Sequence, residues 1–378
     1  MSVLPKVKVL VVSTVTPKPT GFGEIILHRH LCERRDLSVE VVPCPPEPIT
    51  LRAIRRTPFR RLVEAHQVLR QGRRWDRAAR GAVEAARPGI MLTVAHGDGF
   101  HAAFRLAKET GLPLVTIFHD WWPDLVPSWL SLAEEARFRA VYRGSRLALC
   151  ASEGMRRVLG EHPCSRVLSP IPGRSDTTSG CGPSSISLDG PFRILYAGNL
   201  REYGSMLRNA LSSNTDDRLR LEVRGMSPHW PSAFRDNMRS RGLYHEFAPR
   251  KELEDWLRSA DAFLVTSAFE PSMRRMMETN FPSKLLEFAR FGRPLVIWGP
   301  AYSTVIKWGL KECRSLCVTQ ENPAALWTAL KKLADSPAEQ ERFGRRALQA
   351  AREEFDPDLI HKQFLDAVMA VARPSGTT

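Results

Sequence analysis

The chain has 378 residues, of which 25% are charged and 43% apolar, and a formal net charge of +14. That length suits two ordinary domains better than one, and the composition excludes a largely disordered chain. No apolar run approaches the roughly 18 residues of a membrane span. Seven scattered cysteines without a CxxC pair argue against a disulfide framework or a structural zinc, and point to a reducing, cytoplasmic compartment.

Charge is unevenly spread. Residues 1–172 hold 26 basic and 16 acidic residues, and most of the excess lies in 52–87, where eleven arginines face only Glu64, Asp76 and Glu84. A solvated basic face is the plain reading of that segment. Docking to an anionic membrane surface is the second. Nucleic-acid binding ranks third and is not expected, because no nucleic-acid module accompanies the charge.

The apolar run Val7–Val15 lacks a cleavage site and leads into a glycine loop, so it reads as a first strand and not a signal peptide. Strands are expected near Val7–Ser13, Val39–Pro43, Ile90–Ala95, Leu114–Phe118 and Arg146–Ala151. Helices are expected near 24–35, 59–86, 100–110, 131–143 and 153–160. From Pro170 to Gly190 the composition turns to Ser, Thr, Gly and Pro, as in an interdomain linker. The alternation then restarts, with strands near Phe192–Ala197, Leu219–Val223, Ala262–Thr266, Leu295–Ile297 and Ser315–Val318. The pattern predicts two doubly wound α/β domains: 1–172, a linker over 173–190, and 191–355. A C-terminal helix over 356–378 is expected to pack back on the first domain.

Ligands in such sheets bind beyond the carboxyl ends of strands, so each strand-to-loop junction is a candidate site. In Thr20-Gly-Phe-Gly23, Gly21 and Gly23 let a backbone approach a ligand closely; turn glycines without a ligand are nearly as good a reading. His96-Gly-Asp-Gly-Phe-His101 offers Asp98, better explained as a helix cap than as a catalyst. A metal held by His96, Asp98 and His101 is the weaker option. In Ile117-Phe-His-Asp-Trp-Trp-Pro123, His119 stands where it can orient a substrate hydroxyl. Asp120 reads as a turn former, and Trp121 as buried packing before a sugar platform. In Tyr196-Ala-Gly-Asn-Leu-Arg201, Gly198 and Asn199 suit a phosphate-facing turn and Arg201 a diphosphate partner; a turn with a solvated arginine explains them equally well.

The richest window is Phe281–Ile297. Pro282 suits a first helical position, Gly292 a C-terminal cap, and Leu295–Ile297 a buried parallel strand. Leu285, Leu286 and Ala289 share one helical face; Ser283, Lys284 and Glu287 share the other. A lysine, a carboxylate and a helix start thus reach one sheet edge.

With these residues in hand, the chain resembles the glycosyltransferase family 4 type of enzyme with the GT-B fold. The match rests on Tyr196-Ala-Gly-Asn-Leu200, Arg258–Ser267, Pro282-Ser-Lys-Leu-Leu-Glu287 and Gly292-Arg-Pro294, and more weakly on Gly21–Gly23 and Phe118–Pro123. The resemblance implies two Rossmann-like domains facing each other across a cleft. It implies a nucleotide diphosphate sugar, such as a UDP-sugar, held mainly by the second domain, and transfer of the sugar to an acceptor hydroxyl with retention. By this likeness Glu287 holds the ribose, while Ser283, Lys284 and Leu285 lie near the diphosphate and sugar. Gly21 and Gly23 approach the phosphates, His119 meets the transferred sugar, and Glu270 resembles the family's first glutamate. Asp98, Asp120 and Trp121 are assigned to the acceptor side. No cofactor and no metal are expected.

Two departures stand out. Asn199 replaces an expected arginine, and Tyr203 stands near an expected lysine. Glu270 lies seventeen positions before Glu287 instead of eight, with 271–280 reading as an inserted loop. Arg274 and Arg275 in that loop are candidates for the missing phosphate charge. The acceptor is expected to be a lipid-linked saccharide, a polysaccharide or a small molecule. An epimerase of the same fold and a non-enzymatic basic binding protein are the alternatives.

Overall fold

The computed structural model describes residues 6–21, 23–46, 54, 57, 59–174, 190–226 and 229–372. The chain forms two compact units. The first comprises residues 1–171, Thr279–Phe281 and 357–378; the second comprises 172–278 and 282–356. Most of the expected linker lies outside the described residues.

The first unit is built on a six-stranded parallel sheet of β1 (Lys8–Val11), β2 (Ser38–Val41), β3 (Ile90–Val94), β4 (Leu114–Phe118), β5 (Leu147–Cys150) and β6 (Ser165–Val167), in the order β2-β1-β3-β4-β5-β6. Strands β3 and β5 are buried throughout, as covered parallel strands require. Trp75, Ala79, Ala103 and Leu106 cover one face beside Leu10 and Met91, while Phe118, Phe138, Tyr142 and Met155 form a second cluster. The C-terminal helix Pro357–Met369 belongs to this unit, where His361 reaches Asp36 at 3.0 Å and Arg34 pairs with Asp358.

The second unit repeats the architecture with β7 (Phe192–Ala197), β8 (Leu219–Arg224), β9 (Tyr244–His245), β10 (Ala262–Thr266), β11 (Leu295–Trp298) and β12 (Leu316–Val318). Its order is β12-β11-β10-β7-β8-β9. Strand order therefore reverses between β7 and β10, the place where an open α/β sheet parts at its carboxyl edge to admit a ligand.

Four sequence expectations need correction. The helix expected over 59–86 is two helices, Arg60–Arg70 and Asp76–Ala86, joined by a short 3-10 turn. Gln71 and Gly72 both take positive φ there, and a Cβ on Gly72 would lie 2.2 Å from the Asp98 carbonyl oxygen, so close backbone approach breaks the helix. Residues 271–280 are not an irregular loop but a 3-10 turn followed by the helix Arg274–Thr279. Pro282 precedes the helix Ser283–Ala289 as its N-cap instead of opening it. Arg290, and not the expected Gly292, is its C-cap; Gly292, with φ +65, turns the chain two residues further on.

Candidate functional site

In the second unit the chemistry gathers at the reversal of strand order. Lys284 projects from the first turn of the helix Ser283–Ala289 back over the end of β7. Its Nζ sits against Gly198, where a Cβ would lie only 1.9 Å away, and 5.7 Å from the centre of the Tyr196 ring. Burial pulls its ammonium down to about 8, with the nearby Glu202 opposing the shift. No carboxylate pairs with it among the described residues. An ammonium without an ion-pair partner at this edge has the chemistry to accept an anion.

The other expected donor residues divide. Asn199 does not face a ligand with its side chain: its Oδ1 caps the following helix by accepting the Arg201 N–H at 2.9 Å. That leaves the Arg201 side chain exposed at the same edge. Ser283 is exposed beside Lys284. Leu285 is a correction: its side chain is buried in the core, and its N–H already donates to the Pro282 carbonyl at 3.1 Å. Glu287 accepts the Gly173 N–H at 3.0 Å, so a ribose would share that carboxylate with the chain itself.

Glu270 stands at the end of the loop after β10. Ser205 donates to its Oε1 at 3.4 Å, and its buried Oε2 has no hydrogen-bond partner. Arg274 and Arg275 both lean on Glu278, at 2.9 and 3.6 Å, and Arg274 also lies over Tyr302, so their charge is partly committed. Tyr203 packs with Ala268, Met276 and Met277 and takes no lysine-like position. The inserted segment is pinned by Met277, whose sulfur accepts from Ser267 Oγ at 3.0 Å and the Ala268 N–H at 3.1 Å.

In the first unit β3 and β4 pair in register with Val94 opposite Ile117. His96 and His119 each lie two residues further on, so equal register brings them side by side. Their rings stack 5.6 Å apart at 15°. Asp120 closes the group, with Oδ2 at 2.9 Å from His119 Nε2 and 3.7 Å from His96 Nδ1. Its Oδ1 accepts from Asn280 Nδ2 at 2.9 Å. Burial, reinforced by His119, pulls His96 down to about 4. Burial also opposes the charged form of His119, but Asp120 outweighs it and the net shift is upward. Asp120 itself is held at about 2, because the two imidazoles and Asn280 outweigh its burial. Gly23 opens beside this group: a Cβ there would stand 3.8 Å from His119 Nε2. Gly21 has φ +104 and faces Glu24.

Asp98 is neither the cap nor the metal ligand that the sequence allows. Its carboxylate takes hydrogen bonds from Arg74 Nε at 2.7 Å and from Trp75 Nε1 at 3.0 Å. The cap is supplied by Thr14, whose Oγ1 accepts the N–H groups of Asp98 and Gly99 at 3.2 and 3.1 Å. His101 binds buried Glu134 at 2.7 Å, so His96, Asp98 and His101 turn to three different partners. Trp121 is 1% exposed, packed on Phe138 beneath Arg139, and can form no open acceptor platform. Residue spacing held no signal for the joining of His96 with His119 or of Asn280 with Asp120.

The arginine-rich segment proves partly apolar. Seven of the twelve large apolar side chains that stand exposed among the described residues are Ile54, Phe59, Leu62, Leu69, Leu125, Trp129 and Leu132. Phe59, Leu62 and Leu69 follow helical spacing along one side of Arg60–Arg70; Trp129 and Leu132 do so on the helix Ser128–Gly144. The two helices meet over a buried seam of Ala65, Val68 and Leu130, with Val126 from just before the second helix, and the exposed residues flank this seam as an apolar ridge. Arg61, Arg70, Arg73 and Arg77 are exposed near it without ion pairs among the described residues. No helix among the described residues is long and apolar enough to cross a membrane.

Residues 26–172 match the profile of Glycosyltransferase Family 4. No curated protein matches the chain. Among solved structures, Anabaena Alr3699/HepE in complex with UDP is 15% identical, with 97% of this chain and 100% of that chain covered and a TM-score of 0.67. Sucrose-phosphate synthase from Thermosynechococcus elongatus is 14% identical, with coverage of 97% and 99% and a TM-score of 0.69. The lipopolysaccharide outer core galactosyltransferase WaaB in its apo form is 15% identical, with coverage of 96% and 99% and a TM-score of 0.58. At such identities the likeness is one of fold.

Proposed function

Taking residues 26–172 as a glycosyltransferase family 4 domain in a chain of GT-B fold, we propose that the protein transfers a sugar from a nucleotide diphosphate sugar to an acceptor hydroxyl. The observation that carries this reading is Lys284: an ammonium without a carboxylate partner, seated on Gly198 where strand order reverses. A diphosphate supplies the missing counter-charge. Arg201 and Ser283 border the same edge, and Arg274 and Arg275 contribute once released from Glu278. Glu287 and Glu270 stand by for ribose and sugar hydroxyls. That HepE was solved with UDP and with UDP-glucose makes uracil the first base to test.

The proposed reaction retains configuration. The acceptor oxygen attacks the anomeric carbon on the face from which the diphosphate leaves. The bond from that carbon to the phosphate oxygen breaks as the new glycosidic bond forms, and the acceptor proton passes to the departing diphosphate. Fixed cations stabilise the leaving charge, so the transfer needs no resident cofactor or bound cation. His119 Nε2 is paired with Asp120 Oδ2 at 2.9 Å, and this imidazole–carboxylate pair is the group offered to a sugar hydroxyl. The apolar ridge, edged by free arginines, favours an acceptor displayed on an anionic membrane, where the ridge inserts at headgroup depth.

The test is a nucleotide-sugar panel with wild type and the variants Lys284→Met and Glu287→Gln, read by transfer, hydrolysis and calorimetry. Expected are binding of one nucleotide class, weakened at least about tenfold by Lys284→Met, the scale of one charge-assisted contact. Isomerisation of the donor without acceptor would replace the transferase reading with an epimerase. Salt-sensitive polyanion binding with no nucleotide-sugar binding would replace it with a basic binding protein.

A further inference from the structure

We propose that His96, His119 and Asp120 form a binding site for a divalent transition-metal ion of zinc type, and that the ion acts as a reversible inhibitor and not as a cofactor. His96 Nδ1, His119 Nε2 and Asp120 Oδ2 all lie within 4.8 Å of one another, and no other such cluster of His, Cys, Asp and Glu occurs among the described residues.

Three features set this group apart from a chance meeting of polar side chains. The first is chemical. Two imidazole nitrogens and one carboxylate oxygen are the ligand set that borderline divalent ions take when a further position stays open to water or substrate. The second is an unmet need. His96 Nδ1 is buried and has no hydrogen-bond partner, although it points toward Asp120 Oδ2. A buried donor or acceptor left unpaired is costly, and an ion between these atoms satisfies all three at once. The third is support behind the ligands. Asn280 Nδ2 holds Asp120 Oδ1 at 2.9 Å, which leaves Oδ2 turned to the imidazoles, and the Trp122 ring backs His96 at 4.7 Å. Outer contacts of this kind fix ligand orientation in metal sites. The three side chains keep between 28% and 31% of their surface exposed, so an ion has a way in.

The inhibitory role rests on the transferase reading. The ion takes His119 Nε2 and Asp120 Oδ2, the pair offered to the sugar, so metal and sugar compete. Binding itself does not depend on that reading.

The experiment uses the full chain, cleared of metal with a chelator. Zinc chloride is titrated by calorimetry and cobalt chloride by visible absorption. Expected are one equivalent of zinc per chain and cobalt d–d bands without thiolate charge-transfer bands, since no cysteine contributes. His96→Ala should lower zinc affinity more than about 100-fold and Asn280→Ala about tenfold, as loss of a ligand and of an outer contact predict. Circular dichroism and a thermal midpoint establish that each variant is folded. Zinc binding unchanged in folded His96→Ala, or cobalt bound through thiolate, overturns the proposal. Loss of transfer activity on adding zinc, reversed by chelator in wild type and absent in His96→Ala, supports inhibition; zinc binding with unaltered transfer overturns that part alone. If no sugar is transferred under any condition, the titrations still decide the metal site, and the transferase reading fails separately.

Discussion

Lys284 and Gly198 are fitted to one another: a Cβ on Gly198 would fall 1.9 Å from Lys284 Nζ. The two residues lie far apart in the chain and meet only because the helix Ser283–Ala289 follows β10, the strand beside β7. Gly198→Ala should push the ammonium off its seat. Lys284 ends a flexible side chain and yields easily, but the Cβ would also stand 2.9 Å from the hydroxyl of buried Tyr196, so a folding cost of about 1 kcal/mol is expected. Nucleotide diphosphate affinity should fall about tenfold, as expected for a misplaced charge-assisted contact. Calorimetry with UDP beside a thermal melt separates the two effects.

The same lysine gives a pH signature. Burial holds its ammonium near 8, below the ordinary lysine value of 10.5. Diphosphate affinity should therefore decline as pH rises through about 8, and the decline should vanish in Lys284→Met. For the unliganded protein the sign is opposite. Between about 8 and 10.5 the unfolded chain binds more protons at this group, so its contribution to stability rises with pH. Melting curves across that window check it.

Glu222 on β8 is 3% exposed and gathers Arg193 at 3.0 Å, Arg220 at 2.9 Å, His245 at 3.3 Å and Trp256 at 3.1 Å. Burial raises its carboxyl, but hydrogen bonds from His245 and the arginines outweigh that and hold it well below the carboxylate range. Removing one member of such a group leaves the others without compensation, at about 3–5 kcal/mol. Both arginines are about a third exposed, so Glu222→Gln should cost nearer about 3 kcal/mol in urea unfolding. Its contribution is present above the normal carboxylate range and lost as pH falls through the depressed value.

Acid should weaken the first unit through His30. This side chain is 2% exposed, stacks on His361 and meets its Nδ1 at 3.3 Å. Burial, then His361, Arg34 and Arg29, lower it to about 3. The folded protein keeps this ring neutral, so the stability it contributes is full above about 6.5 and erodes between there and about 3. A fall in the melting temperature between pH 7 and pH 5 should shrink in His30→Gln relative to wild type.

The apolar ridge predicts partition to vesicles. Flotation with anionic liposomes should carry the wild-type chain and leave Leu62→Ser/Trp129→Ser largely in solution, with recovery reduced about tenfold for two buried apolar side chains. Neutral liposomes should bind weakly, because Arg61, Arg70, Arg73 and Arg77 then lose their counter-charge. Equal flotation on neutral and anionic vesicles would refute the electrostatic part.

Elements with a strong local pattern were legible. The runs Leu114–Phe118, Phe192–Ala197 and Ala262–Thr266 are strands with those same bounds. The short edge strands Ser165–Val167 and Tyr244–His245 carry too few residues for any periodicity to register. Function was legible only as residue types at strand ends. Asp98 shows the limit: by spacing it is a helix cap, yet Thr14, brought across from the loop after β1, does the capping and frees Asp98 for Arg74 and Trp75.

By itself, the sequence determined the alternation of covered strands and amphipathic helices, the restart after Gly190, and the presence of a lysine, a histidine and carboxylates at strand ends. Those properties depend on neighbours within a turn or a strand, where spacing and burial act directly. Only the tertiary structure decided which of these groups meet. Parallel register sets His96 beside His119, strand order brings Lys284 to Gly198, and the inserted segment delivers Asn280 to Asp120. Such partners are separated by tens to more than a hundred residues, and their pairing is fixed by sheet register and packing, which no local pattern encodes.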